Sequence, residues 1–141
     1  MLTGIIYLLI SLFFVSSGSI LFAADSGYVA RSKLMQNIRT EFSVLARMSQ
    51  EKIEFGKSLA ESARLNLLKL VASTPVIFED DGLPINSEAL PAIWKNWDDF
   101  VSKSEDLEFV LEGVDISTLI DLRGSLGNVG AACGSYNQNI E

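Results

Sequence analysis

Between Leu119 and Tyr136 the apolar residues Leu119, Leu122, Leu126, Val129, Cys133 and Tyr136 recur at steps of 3, 4, 3, 4 and 3. A side chain returns to one face of an α-helix about every 3.6 residues, so this run buries one stripe of a helix. A strand would need alternation at every second residue, and no stretch of the chain shows it. Three further stretches repeat the helical period. Leu34, Met35, Ile38, Phe42, Leu45 and Met48 mark a segment from about Gly27 to Met48, with Asp25 or Ser26 as N-cap and Arg31, Lys33, Arg39 and Arg47 left for solvent. Leu59, Ala63, Leu67, Leu70 and Val71 mark a second, from about Lys57 to Ser73, which Pro75 is expected to stop. Trp94, Trp97, Phe100, Val101, Leu107 and Leu111 mark a third. It opens near Leu90-Pro91, with Ser87 as a candidate cap, and closes at Gly113. Asp115 or Ser117 opens the fourth. Residues 74–88, with Pro75, Gly82, Pro84 and the trio Glu79-Asp80-Asp81, form the one long connection. Four amphipathic helices joined in this way predict an all-α fold, an antiparallel four-helix bundle over residues 24–141.

The first residues are of another kind. Ile5 to Val15 is an 11-residue stretch, apolar but for Ser11, followed by Ser16-Ser17-Gly18-Ser19 and Ile20 to Ala24, with no charge before Asp25. That order matches a secretory signal peptide over residues 1–23, cut after Ala23, and predicts export to the periplasm. The alternative is an uncleaved membrane anchor, although the apolar run is short for a span and the serine-glycine patch interrupts it.

Composition narrows function by exclusion. A chain of 141 residues fits one domain, and it holds no histidine and one cysteine, Cys133. A Ser-His-Asp triad, a Cys-His pair, an imidazole-ligated metal centre, an intramolecular disulfide and a CxxC redox pair are all excluded. With no nucleophile–base pair or ligand cluster visible, an enzyme is not expected and no metal site is assigned. The formal charge is −7, which argues against a nucleic-acid partner. Residues 25–75 hold 8 basic and 5 acidic side chains, and residues 76–141 hold 3 and 13. The two halves can attract in the folded bundle, or the acidic half can steer a basic protein partner.

The fourth segment is unusual. Gly124, Gly127, Gly130 and Gly134 lie inside it, each costing about 1 kcal/mol against alanine in a helix interior. Close helix–helix approach is the expected compensation, and room for a flat ligand is the other. Cys133 lies on the seam, so burial as a small hydrophobe is its default, with an intermolecular disulfide as the alternative. Trp94 and Trp97, at i and i+3, are expected to pack into the core from one face.

Four features in order carry a family resemblance. They are Arg31-x-x-x-Met35, Phe78 in the long connection, the segment Ala89-Leu-Pro-Ala-Ile-Trp94-Lys-Asn-Trp97-Asp-Asp-Phe100, and the run Leu126-Gly-Asn-Val-Gly-Ala-Ala-Cys133-Gly-Ser135. From about Tyr28 to Ser135 the chain resembles the cytochrome c-prime and cytochrome c-556 family of bacterial periplasmic haem proteins. The resemblance implies an antiparallel four-helix bundle with haem between the helices, bound to a C-x-x-C-H motif in the last helix. It also implies a methionine at the position of Met35 as distal iron ligand in six-coordinate members, and an arginine at the position of Arg31 near the haem propionates. Many relatives pair through their first two helices, so a homodimer of that kind is a candidate assembly.

The chain departs from the family after Ser135. Tyr136 stands where the second cysteine belongs, and Asn137 stands at the position of the histidine. The expectation is therefore a scaffold without bound haem c, acting as a binding or interaction module. The other reading is an electron-transfer or gas-binding cytochrome with an atypical attachment. An empty slot of several hundred cubic ångströms would cost about 24 cal/mol per Å³. Collapse is expected, with the Tyr136 ring occupying part of the space. The alternative is a small apolar ligand among Met35, Ile38, Val129 and Cys133.

Overall fold

A computed structural model describes residues 19–79, 81 and 91–137, with side chains described for 27–79, 81 and 91–135. Among the described residues the elements are α1 (Ser19–Ser49), α2 (Lys57–Ala72), α3 (Thr74–Phe78), α4 (Ala92–Lys95), α5 (Trp97–Glu112) and α6 (Leu119–Asn137), with no strand. The four long helices α1, α2, α5 and α6 make the antiparallel bundle. Each packs on two neighbours, giving the ring order α1, α2, α5, α6 and back to α1.

The connections set the directions. Asn66 Nδ2 donates to Glu41 Oε1 at 3.2 Å between α2 and α1. Ser104 Oγ donates to the Val71 carbonyl at 3.2 Å, and Arg64 Nη1 reaches the Glu112 carbonyl at 3.5 Å. As position rises along α2 it falls along α5, so that pair is antiparallel. Arg123 Nε donates to the Ser49 carbonyl at 2.6 Å and ties α6 to the end of α1. The core is a heptad-like stripe from each helix. It comprises Leu34, Ile38, Leu45 and Met48 from α1, Ala60, Ala63, Leu67 and Val71 from α2, Phe100, Leu107 and Leu111 from α5, and Leu122 and Val129 from α6.

Several local expectations are corrected. The first helix is already formed at Ser19, the first described residue, rather than starting near Gly27, so Asp25 and Ser26 lie within it and do not cap it; residues 1–18 of the expected leader lie outside the described residues. Pro75 does not end helical structure. The chain breaks for one residue at Ser73 and restarts as α3, with Pro75 in its first turn, where a missing N–H removes no helical bond. Phe78 is therefore on a helix and buried, not in a loop. The third segment divides into α4 and α5 at Asn96, whose φ of −124° and ψ of 46° leave the helical region. Trp94 and Trp97 thus sit on different helices, although both pack against the core as expected. The candidate cap Ser87 lies outside the described residues.

Neither Asp115 nor Ser117 caps the last helix. Thr118 does, because its hydroxyl oxygen accepts from the Asp121 amide at 3.2 Å and donates to Asp121 Oδ2 at 2.6 Å. Asp115 instead closes the preceding turn by accepting from the Ser117 amide at 2.8 Å. At the end of α1, Glu51 adopts a left-handed φ of 57°, its amide donating to the Met48 carbonyl at 2.9 Å while Lys52 donates to the Arg47 carbonyl at 2.9 Å. The Glu51 carboxylate lies 3.3 Å from Arg123 Nη2 on α6. This pair joins the two halves of the chain with the signs reversed from the overall charge division.

Candidate functional site

Of the predicted site residues, Arg31 lies where α1 meets α3, with the Trp94 ring of α4 also over it. Arg31 falls three residues before Leu34 and seven before Ile38, on the buried stripe of α1. It is only 3% exposed, which corrects the expectation of a solvent-facing side chain. Its guanidinium carbon is 6.0 Å from the Phe78 ring centroid and 5.6 Å from that of Trp94. Aromatic faces attract a guanidinium through their quadrupole, and more strongly where water is excluded. Two further contacts fix the rings. Trp94 Nε1 donates to the Phe78 carbonyl at 2.7 Å, and Phe78 packs on Phe100 with centroids 5.3 Å apart. Trp97 leans on the same Phe100 at 5.4 Å. Sequence features from three separate segments, Arg31, Phe78 and the Trp94–Phe100 stretch, thus come together in one layer.

Met35 and Cys133 lie on the adjacent helices α1 and α6. Both are half-buried, and both pack against the same core as the fully or nearly buried Val129 and Ile38. Burial pushes the Cys133 thiol above the ordinary thiol range, because the low-dielectric interior disfavours the thiolate. The folded pKa exceeds the unfolded one, so this group stabilises the fold fully below the ordinary thiol pKa. That contribution is lost as pH rises through the folded value. Iodoacetamide should therefore alkylate Cys133 at mildly alkaline pH at least about tenfold more slowly in the folded protein than in concentrated urea, as read by mass spectrometry. Equal rates would place the thiol outside the core. Tyr136 and Asn137 continue α6 through its last turn, and their side chains lie outside the described ones.

The glycines of α6 do not make the expected close approach. A Cβ built on Gly124, Gly127, Gly130 or Gly134 meets nothing within 4 Å among the described residues. The buried seam is the opposite face, through Leu122 and Val129, with Leu126 and Cys133 half-buried beside them.

One feature escaped the sequence reading altogether. A groove of about 890 Å³ runs between the end of α5 and the start of α6, lined among others by Phe109, Val110, Ile120 and Gly124. Phe109 is 76% exposed and Ile120 is 78% exposed. Both residues are off the core stripes of their helices. Only the juxtaposition of two helices separated by a turn makes them neighbours.

The four-helix ring thus holds a buried arginine under two aromatic rings, with a half-buried methionine and a half-buried cysteine packed on the same core. The family model described as Cytochrome C′ matches residues 28–135. Cytochrome c-554 of Cereibacter sphaeroides is 32% identical over 115 residues, covering 77% of this chain and 86% of the relative. The chain belongs to the cytochrome c′ family. Solved structures share the bundle. Cytochrome c′ from Rubrivivax gelatinosus superposes with a TM-score of 0.69 at 19% identity, covering 79% of this chain and 91% of that one. A nitric oxide complex of a cytochrome c prime variant from Alcaligenes xylosoxidans gives 0.72 at 18% identity, covering 84% and 95%.

The side chains present do not fit the family's mode of haem attachment. That mode needs two thiols and an imidazole, and the chain offers Cys133 alone with no histidine at any position. Arg31, Phe78 and Trp94 nevertheless lie together in one layer, with Met35 one turn further along α1.

Proposed function

We propose that this chain is an exported cytochrome c′-type bundle that has lost covalent haem binding and works as a non-catalytic interaction module in the periplasm. The observation that carries this reading is the donor set. Tyr136 and Asn137 replace the second cysteine and the histidine of the attachment motif, and no other histidine exists to substitute. The Met35 thioether alone is a weak hold on ferric iron. The apolar leader-like segment over residues 1–23 supports export. Among the described residues no helix is long and apolar enough to cross a membrane. Partners in keeping with this role are a second copy through α1 and α2, and a small apolar ligand among Met35, Ile38, Val129 and Cys133.

The absorption spectrum tests the reading. Protein purified from cells that carry the haem-attachment machinery should lack a Soret band. A band that survives acid–acetone extraction would overturn the proposal. The survival of Arg31 beneath Phe78 and Trp94, with Met35 half-buried on the same helix, favours a second reading. In it the chain is an electron-transfer or gas-binding cytochrome that holds haem through Cys133 alone or without a covalent bond. A Soret band lost on acid–acetone extraction would mark the non-covalent form.

A further inference from the structure

We propose that the groove between the C-terminal half of α5 and the first turns of α6 docks a basic amphipathic helix of another protein. This deepens the interaction role proposed above by naming its surface. The spectrum tests haem and the experiment below tests the groove, so either can fail alone.

Apolar and acidic side chains share the lining of the groove. Phe109 and Ile120, both more than three-quarters exposed, present apolar surface to solvent beside the half-buried Val110. Glu112, Asp115 and Asp121 lie among them in the same lining. Between Trp97 and Leu122 the chain carries eight carboxylates against one lysine, and that lysine, Lys103, is bound to Asp99 at 2.8 Å. The cations of neighbouring elements are largely engaged elsewhere. Arg64 on α2 reaches the Glu112 carbonyl from Nη1 at 3.5 Å, while its Nε and Nη2 donate to Glu61, each at 3.0 Å. Arg123 is engaged with Ser49 and Glu51. The Asp115 carboxyl is held below its ordinary range chiefly by its hydrogen bonds to Ser117, with the Lys57 charge adding to the effect. An exposed apolar pair set among charges of one sign is complementary to an apolar stripe flanked by the other sign.

Shape and symmetry select the occupant. A two-fold dimer on this face would bring the acidic set Glu112, Asp115 and Asp121 up against the same acidic set of the second copy, so a second copy is disfavoured. A channel between two antiparallel helices suits a third helix, which presents anchors at i, i+3, i+4 and i+7. From Ile120 to Asn128 the α6 side of the groove is about 12 Å long at 1.5 Å per residue, or roughly two turns of a bound helix. Gly124 lies midway along it, and its missing side chain leaves the α6 backbone open to close approach.

The test titrates isotope-labelled full chain with a synthetic helix bearing a leucine stripe between lysine rows, followed by amide chemical shifts. Shifts should concentrate on Val110, Gly113, Gly124, Ser125 and Asn128. Phe109→Ser and Ile120→Ser should each weaken binding at least about tenfold, and the same peptide with glutamates for lysines should not bind. Shifts spread over the surface carboxylates, with affinity unchanged in Phe109→Ser, would reduce the effect to charge attraction and overturn the proposal. So would self-association of the free protein, seen by sedimentation, that Phe109→Ser abolishes. The charge-swapped peptide leaves the protein unaltered, so its result stands even if a variant unfolds.

Discussion

Replacing Gly124, Gly127, Gly130 and Gly134 together with alanine should raise the unfolding free energy by roughly 3–4 kcal/mol. Each helix-interior glycine costs about 0.8–1.0 kcal/mol relative to alanine, through the freedom its backbone loses on folding. That cost is normally offset where the absent side chain lets another element close in. Here a Cβ at each of the four sites has nothing within 4 Å among the described residues, so the gain in propensity should come without a clash. Urea unfolding checks this: the midpoint should rise at constant slope, with about a quarter of the gain from each single variant. A loss at any one position would reveal a close neighbour there and restore the packing role that the sequence pattern suggested. Since Gly124 alone of the four lines the α5–α6 groove, the other three substitutions should stabilise the chain without altering docking.

The largest loss should come from Phe100→Ala, at about 3–5 kcal/mol. The Phe100 ring is 1% exposed and touches both Phe78 on α3 and Trp97 at the start of its own helix. Removing it leaves a hole at the layer where the short helices close one end of the bundle. It also loosens Phe78, one of the two rings over Arg31. Against the roughly 5–15 kcal/mol that separates native from unfolded states in ordinary domains, such a loss brings the protein near its unfolding threshold. Phe109→Ala, the same chemical change on the same helix at a 76% exposed site, should move stability by no more than about 0.5 kcal/mol. Paired denaturation curves of the two variants make the comparison. Similar losses would mean that Phe109 is covered in solution.

The four long helices were legible because helical period is a property of the chain itself. Any residue set such as Leu122, Leu126 and Val129 announces a buried face before its partners are known. The short elements were not. Pro75 reads as a stop signal, yet proline is equally at home in a first turn, and only the packing of Phe78 beneath Phe100 shows which applies. The Asn96 break was hidden because Trp94 and Trp97 keep helical spacing across it. At the candidate site, the positions of Met35 and Cys133 were visible from their seams, and the incomplete donor set could be counted directly. The burial of Arg31 was not read, although its register with Leu34 and Ile38 carried the signal. Charge argued for solvent, and the rings that reverse that preference come from α3 and α4, far along the chain. The α6 glycines misled for a related reason. A small residue records the absence of a side chain, not what fills the space.

The ring order of the helices turns the charge division into a spatial one. α1 and α2, drawn from the net-positive stretch, are neighbours, and so are α5 and α6, drawn from the net-negative stretch. The bundle therefore carries a permanent electric dipole across its width. Near any charged wall or large ionic complex it experiences a torque as well as a pull, and it is turned before it arrives. At low ionic strength a cationic surface would meet the α5–α6 side first, while salt that shortens the screening length to about 10 Å or less would let the molecule tumble in at random.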